Sequence, residues 1–187
     1  MAAGHSKHDT MKKLSIACLC LFVCFASQAQ KDHLSSKAGS TTFGLGIGLP
    51  YGGFGARLGT NVADELNLFA GVGSMLAGIG YNIGIRKDFA SDAATQFYLM
   101  GMYGTNAAIK ISGLSELDEV FTGPSFGLGI KINSRENEGN YWDVGLILPV
   151  TSSDFSDAEE AVKNDPRVEE FTESFPVLIT IGYNFNI

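Results

Sequence analysis

The stretch Val177-Leu-Ile-Thr-Ile-Gly-Tyr-Asn-Phe-Asn-Ile187 decides the fold. Its odd positions are Val177, Ile179, Ile181, Tyr183, Phe185 and Ile187, and its even positions are Leu178, Thr180, Gly182, Asn184 and Asn186. Successive side chains of an extended strand point to opposite faces. Alternation of this kind therefore predicts a two-faced strand, apolar and aromatic on one side and mostly small or polar on the other.

The same pattern runs back through the chain. Phe43, Leu45, Ile47 and Leu49 alternate with glycines. Phe54–Thr60 alternates around Gly55, Arg57 and Gly59, and Leu66–Val72 around Asn67, Phe69 and Gly71. Ile79–Arg86, Phe126–Ile132 and Trp142–Leu148 behave alike. Residues 96–105 (QFYLMGMYGT) are strand-like but apolar on both faces, so their inward side is left open. Helical periodicity is nearly absent outside the N-terminus. Eight strands of roughly 8–11 residues match the length that a tilted strand needs to cross a bilayer.

Glycine is abundant, 23 of 187 residues, about 12% against a usual share of roughly 7%. Glycine weakens an ordinary strand. Small inward residues relieve crowding in the narrow interior of an eight-stranded barrel. The charges agree. Within the seven assigned strands the apolar face carries no Asp, Glu, Lys or Arg, while Arg57, Arg86, Lys131 and Asp143 all fall on the glycine-rich face. A soluble up-and-down barrel would show the reverse. A mid-membrane Arg or Lys facing lipid costs roughly 2–4 kcal/mol, so a membrane barrel must segregate charge in this way. Phe43, Phe97, Trp142 and Phe185 fall at one end of their strands, as an interfacial aromatic girdle would.

Residues 11–30, MKKLSIACLCLFVCFASQAQ, read as a secretory signal. Lys12 and Lys13 precede 13 apolar residues, Leu14 to Ala26, and Ser27-Gln28-Ala29 supplies the small residues of a cleavage site. Thirteen residues are too few for a spanning helix. Cleavage is expected after Ala29. Residues 1–10 are an extension or a mis-assigned start, 30–40 a flexible arm, and 41–187 the barrel. Cys18, Cys20 and Cys24 all lie in the signal, leaving no disulfide framework or cysteine metal site elsewhere. Val23 is bulky for the position before a lipoprotein cysteine at Cys24. Beyond residue 30 there are 10 basic and 19 acidic residues, a net of −9, which argues against nucleic-acid binding.

With strands running alternately out and back from an exported N-terminus, the connections TNVADE, KDFASDAAT and NSRENEGN face the periplasm. The longer ones, near 111–123 and 151–175, face outward, the asymmetry of outer-membrane barrels. The terminal strand, with Gly182, Tyr183 and Phe185, resembles the assembly signal of such barrels. With the signal peptide and eight strands, residues 40–187 resemble the OmpA-type outer-membrane β-barrel domain family. One departure is Ile187, where that signal ends in an aromatic. The resemblance implies an eight-stranded antiparallel up-and-down transmembrane barrel in the outer membrane of a Gram-negative cell. It implies contact with outer-membrane lipid and lipopolysaccharide, insertion by the barrel assembly machinery, and no cofactor.

Chemistry is sparse. Lys131 and Asp143 are expected directly opposite each other and paired, which sets Ile132 opposite Trp142, and Arg57 is expected near Glu65 or Asn67. Such groups satisfy buried charge or form a proton or ion path. Beyond residue 30 the one histidine, His33, lies in the arm, away from any serine that a strand would hold within reach. No catalytic, metal or cofactor residue is assigned. The loop 151–175 carries eight acidic and two basic residues. Ser156-Asp-Ala-Glu159 reads as a capping box and Asp165-Pro166 as a second helix start, predicting helices near 157–164 and 166–172. Its carboxylates suit a solvated surface, or divalent cations, though without EF-hand spacing. The expected function is structural or surface-interacting, with no catalysis and no wide pore. The alternatives are a soluble periplasmic barrel binding an apolar ligand, and a narrow channel.

Overall fold

The computed structural model describes residues 34–75, 77–89, 93–109, 119–164 and 176–187. Eight strands form one closed antiparallel barrel: β1 (Thr41–Gly48), β2 (Gly53–Ala63), β3 (Leu66–Met75), β4 (Gly78–Phe89), β5 (Thr95–Ile109), β6 (Glu119–Asn133), β7 (Tyr141–Pro149) and β8 (Leu178–Asn186). Each pairs with its sequence neighbours, and β1 closes on β8 with Phe43 opposite Phe185 and Leu45 opposite Tyr183. Closure pairs nearly every strand on both sides, which limits edge association.

The faces segregate as the alternation predicts. Ile79 is 75% exposed and Phe54 71%, whereas Arg86 and Lys131 are 0% exposed. The apolar side chains point out and the charges point in. For β5 the structure resolves what the pattern left open: Tyr98, Met100 and Met102 are buried inside, while Phe97, Leu99 and Tyr103 are exposed outside. The inner methionines join Leu49, Phe69 and Ile147 in an apolar cluster filling part of the lumen. Phe43, Phe97, Trp142 and Phe185 do lie at one end, partly exposed, and Phe89 and Tyr183 extend the ring. Trp142 meets Tyr183 at 5.0 Å and Tyr183 meets Phe185 at 4.8 Å between ring centroids, both edge-on.

The β1–β2 connection does not project outward. At Gly48 the chain takes φ +119 and turns into the barrel, Leu49–Tyr51 form one 3₁₀ turn inside it, and Gly52 at φ +69 returns it to β2. A side chain at those dihedrals would be strained. Tyr51 ends fully buried. The wall glycines make its space: a Cβ on Gly182 would come 2.2 Å from the Tyr51 hydroxyl, and one on Gly46 2.8 Å from its ring. Their Cβ atoms are missing because a loop occupies that volume.

Three expectations need correction. Residues 61–63, 87–89 and 119–123, expected in connections, instead continue β2, β4 and β6; Arg86 and Asp88, for instance, keep the alternation and point inward. The predicted helix near 157–164 starts earlier. It spans Ser153–Lys163 (α1), with Ser152, not Ser156, at the N-cap accepting from the Phe155 amide at 3.3 Å. Phe155 and Val162 then bury against Ile109 and Phe121, where β5 and β6 extend past the rest of the barrel. That packing sets the register of the helix and outweighs the local capping box. Residues 34–40, read as part of a flexible arm, instead pack into the girdle end of the barrel. Ser35 and Ser36 are buried there, and the backbone amide of Asn61 donates to the Ser40 carbonyl at 2.9 Å. The signal segment, His33 and the predicted helix 166–172 lie outside the described residues.

Candidate functional site

The lumen holds the chemistry. Five of the eight strands and the turns at 34–36 and 49–51 contribute to one buried polar network. Asp143 on β7 is its hub: Arg57 on β2 donates to Asp143 Oδ2 through Nη2, Tyr51 donates its hydroxyl to the same oxygen at 3.0 Å, and Asn184 on β8 donates from Nδ2 at 3.4 Å. Arg86 Nη1 lies 3.8 Å away. A second centre forms around Asp88 on β4. It takes Arg86 Nε at 2.8 Å and Lys131 Nζ at 3.0 Å. Tyr141 on β7 joins the two, its hydroxyl accepting from Arg57 at 3.4 Å and Arg86 at 3.2 Å.

Aromatic faces supply the rest of the cation solvation. Arg57 stands 4.8 Å from the Tyr51 ring centroid, Arg86 5.1 Å from Tyr141, and Lys131 Nζ 4.6 Å from Tyr141. Such contacts strengthen where water is excluded. Lys131 also donates to the Ser35 carbonyl at 3.0 Å and the Ser36 hydroxyl at 2.9 Å, tying the N-terminal turn into the network.

The register expectation holds: Lys131 sits opposite Asp143 and Ile132 opposite Trp142. The pairing drawn from it does not. Lys131 reaches Asp88, and Asp143 is taken by Arg57 and approached by Arg86. In a closed barrel, long side chains cross the lumen, so cross-lumen reach overrides ladder adjacency. Nor is Arg57 near Glu65 or Asn67: Asn67 bonds Asn61 at 2.8 Å, and Glu65 pairs with Lys87 at 2.9 Å on the rim. Sequence reasoning missed Asp88, Tyr51, Tyr98 and Tyr141. Asp88 was within reach, since it follows Arg86 by two residues and so shares its face, as Tyr141 does with Asp143.

Among the described residues the buried charges number three cations, Arg57, Arg86 and Lys131, and two carboxylates, Asp88 and Asp143. Burying charge is costly unless it is paired and hydrogen-bonded, and these groups are paired with one another. Among the described residues no three His, Cys, Asp or Glu side chains are placed to share a metal ion.

No protein-family model and no curated protein matches the chain. Among solved structures, the N-terminal β-barrel domain of Pseudomonas aeruginosa OprF superposes over 80% of this chain and 98% of its own, with TM-score 0.42 and 15% identity. The fold assignment rests on this chain's own strand pairing, a closed eight-stranded antiparallel barrel.

The soluble-barrel alternative required the apolar face inside and Arg57, Arg86, Lys131 and Asp143 in water. The observed burial is the opposite. The lumen is also occupied from both ends, by Tyr51 above the network and Ser35 and Ser36 below it.

Proposed function

We propose that this protein resides in the outer membrane, crossing it as an eight-stranded barrel, with a structural or surface-interacting role and neither catalysis nor a wide pore. One observation carries the reading: large apolar side chains cover the outer wall of a barrel whose interior buries five charges. In water this arrangement would expose hydrophobic area far beyond the few hundred Å² typical of a soluble monomer's largest patch. In a bilayer the same wall is solvated. The network supports the non-catalytic part of this reading, since its charged groups are buried and paired with one another. Export by the segment 11–29, contact with lipopolysaccharide and insertion by the barrel assembly machinery belong to the same proposal.

The asymmetry of the ends supports an orientation. One end has connections of 64–65, 90–94 and 134–140; the other carries 110–118 and 150–177, with the acidic helix α1. Short turns inward and long loops outward are the pattern of outer-membrane barrels. The surface-interacting part is then the extended β5–β6 hairpin with α1 packed on it.

Fractionation tests the reading. The protein should sediment with outer membranes, require detergent for release, and migrate differently on a gel before and after boiling. Recovery in the soluble periplasmic fraction without detergent would overturn it. A planar-bilayer recording should show no stable conductance, because the buried charge network and the turns at 34–36 and 49–51 block the lumen.

A further inference from the structure

The barrel wall has a notch at its loop-rich end. The β1–β8 ladder stops at Ile47 opposite Ile181, because β1 turns inward at Gly48. β8 begins three residues further on, so Leu178, Ile179 and Thr180 have no ladder partner on β1. Thr180 bridges part of the gap with a side-chain bond to the Ile47 carbonyl at 3.1 Å.

Behind the notch lies a cavity of about 740 Å³, within the range of small-molecule sites. Its lining comes from two sides of the wall. Ile47, Phe54 and Ile179 belong to the exposed outer surface. Leu49, Met75 and Leu178 belong to, or pack against, the apolar cluster inside the lumen. The cavity is therefore continuous with the apolar outer wall and leads inward. On its loop side it meets Thr151 and Glu159, near the aqueous end.

We infer that this notch admits one acyl chain of a membrane lipid into the outer half of the lumen. The inference rests on the membrane reading above. Three features select this occupant. The entrance opens through residues that hydrocarbon would wet. The inner wall is mainly apolar, with Asn106 a buried polar residue whose amide donates to the Val150 carbonyl, and the charge network lies deeper, beyond Phe69 and Tyr51. Thr151 and Glu159 sit at the loop-side edge, where a lipid headgroup would stay in the interface. A water-filled pocket would leave this wall unpartnered.

The test is methyl NMR on the full barrel, labelled at Leu, Ile, Val and Met methyls, in nanodiscs of dimyristoylphosphatidylcholine. The expected result is cross-relaxation from lipid acyl methylenes to Leu49 and Met75, as well as to the outward Ile83 and Leu128. Met100, deeper in the lumen, should show none. Ala107→Trp, which fills the cavity, should abolish the Leu49 and Met75 signals and leave those of Ile83 and Leu128. Lipid contact at Ile83 and Leu128 without contact at Leu49 and Met75 would overturn the inference alone. Absence of contact at all four would instead overturn the membrane reading. Cross-peaks from residues 165–175 to Leu49 and Met75 would assign the cavity to the chain's own loop and also overturn the inference.

Discussion

Removing the hub carboxylate should cost much more than removing its main partner. The buried set holds three cations and two carboxylates. Asp143→Asn keeps the shape of the side chain but leaves Arg57, Arg86 and Lys131 facing Asp88 alone. Arg57→Met instead leaves two cations and two carboxylates, and Asp143 keeps the Tyr51 hydroxyl at 3.0 Å, Asn184 at 3.4 Å and Arg86 at 3.8 Å. Breaking a buried pair so that a charge is stranded costs about 3–5 kcal/mol. Losing hydrogen bonds to a charge that stays neutralised costs about 1.5–3 kcal/mol. We expect Asp143→Asn to fall in the first range and Arg57→Met in the second, a gap of roughly 2 kcal/mol. The assay is reversible urea unfolding in lipid bilayers, followed by the fluorescence of Trp142, the one tryptophan of the chain. Trp142 sits on the outer wall beside Asp143 and opposite Ile132. Equal costs, or a larger loss from Arg57→Met, would refute the view that the lumen carries one excess positive charge.

Three further outcomes follow from packing. Gly182→Val drives its Cβ into the Tyr51 hydroxyl, 2.2 Å away, and should destabilise by about 1–3 kcal/mol. In the same urea assay, the double variant with Tyr51→Ala should be more stable than the two single losses summed; strict additivity would mean that the inward turn does not occupy that space. Ser152→Ala removes the cap of α1 at about 1 kcal/mol, and should speed amide exchange over 155–163 while leaving β2–β4 amides unchanged. Leu128→Arg, on the outer wall between Leu99 and Leu146, should cost roughly 2–4 kcal/mol in a bilayer; no loss would place that residue in water.

The strands were legible because the period-two pattern is a local signal that burial on two unlike faces enforces along each segment. Arg57, Arg86, Lys131 and Asp143 declared their side of the wall for the same reason. Their partners were not legible. Ladder neighbours follow from register, but Lys131 reaches past Asp143 to Asp88 because interior side chains span the lumen. Asp88 was hidden by an Asp-rich stretch that resembles a turn, although its spacing from Arg86 placed it on the inner face. β5 gave no inward side, since Met100 and Met102 belong to an apolar cluster inside the barrel while Leu99 and Tyr103 meet its surroundings outside. Tyr51 was the hardest to foresee. Its burial depends on glycines of β1, β3 and β8 that meet only in three dimensions. In α1, tertiary contact of Phe155 with Phe121 set the start of the helix one turn before the strongest local motif.

Single nitroxides at Ile83, Leu99, Leu128 and Leu146, followed by power-saturation EPR on the barrel reconstituted in bilayers, report whether hydrocarbon or water wets the outer wall. All four point outward from the wall. In a bilayer they should show high collision with molecular oxygen, which concentrates in hydrocarbon, and low collision with a water-soluble nickel chelate. High nickel accessibility at these positions would contradict the membrane reading.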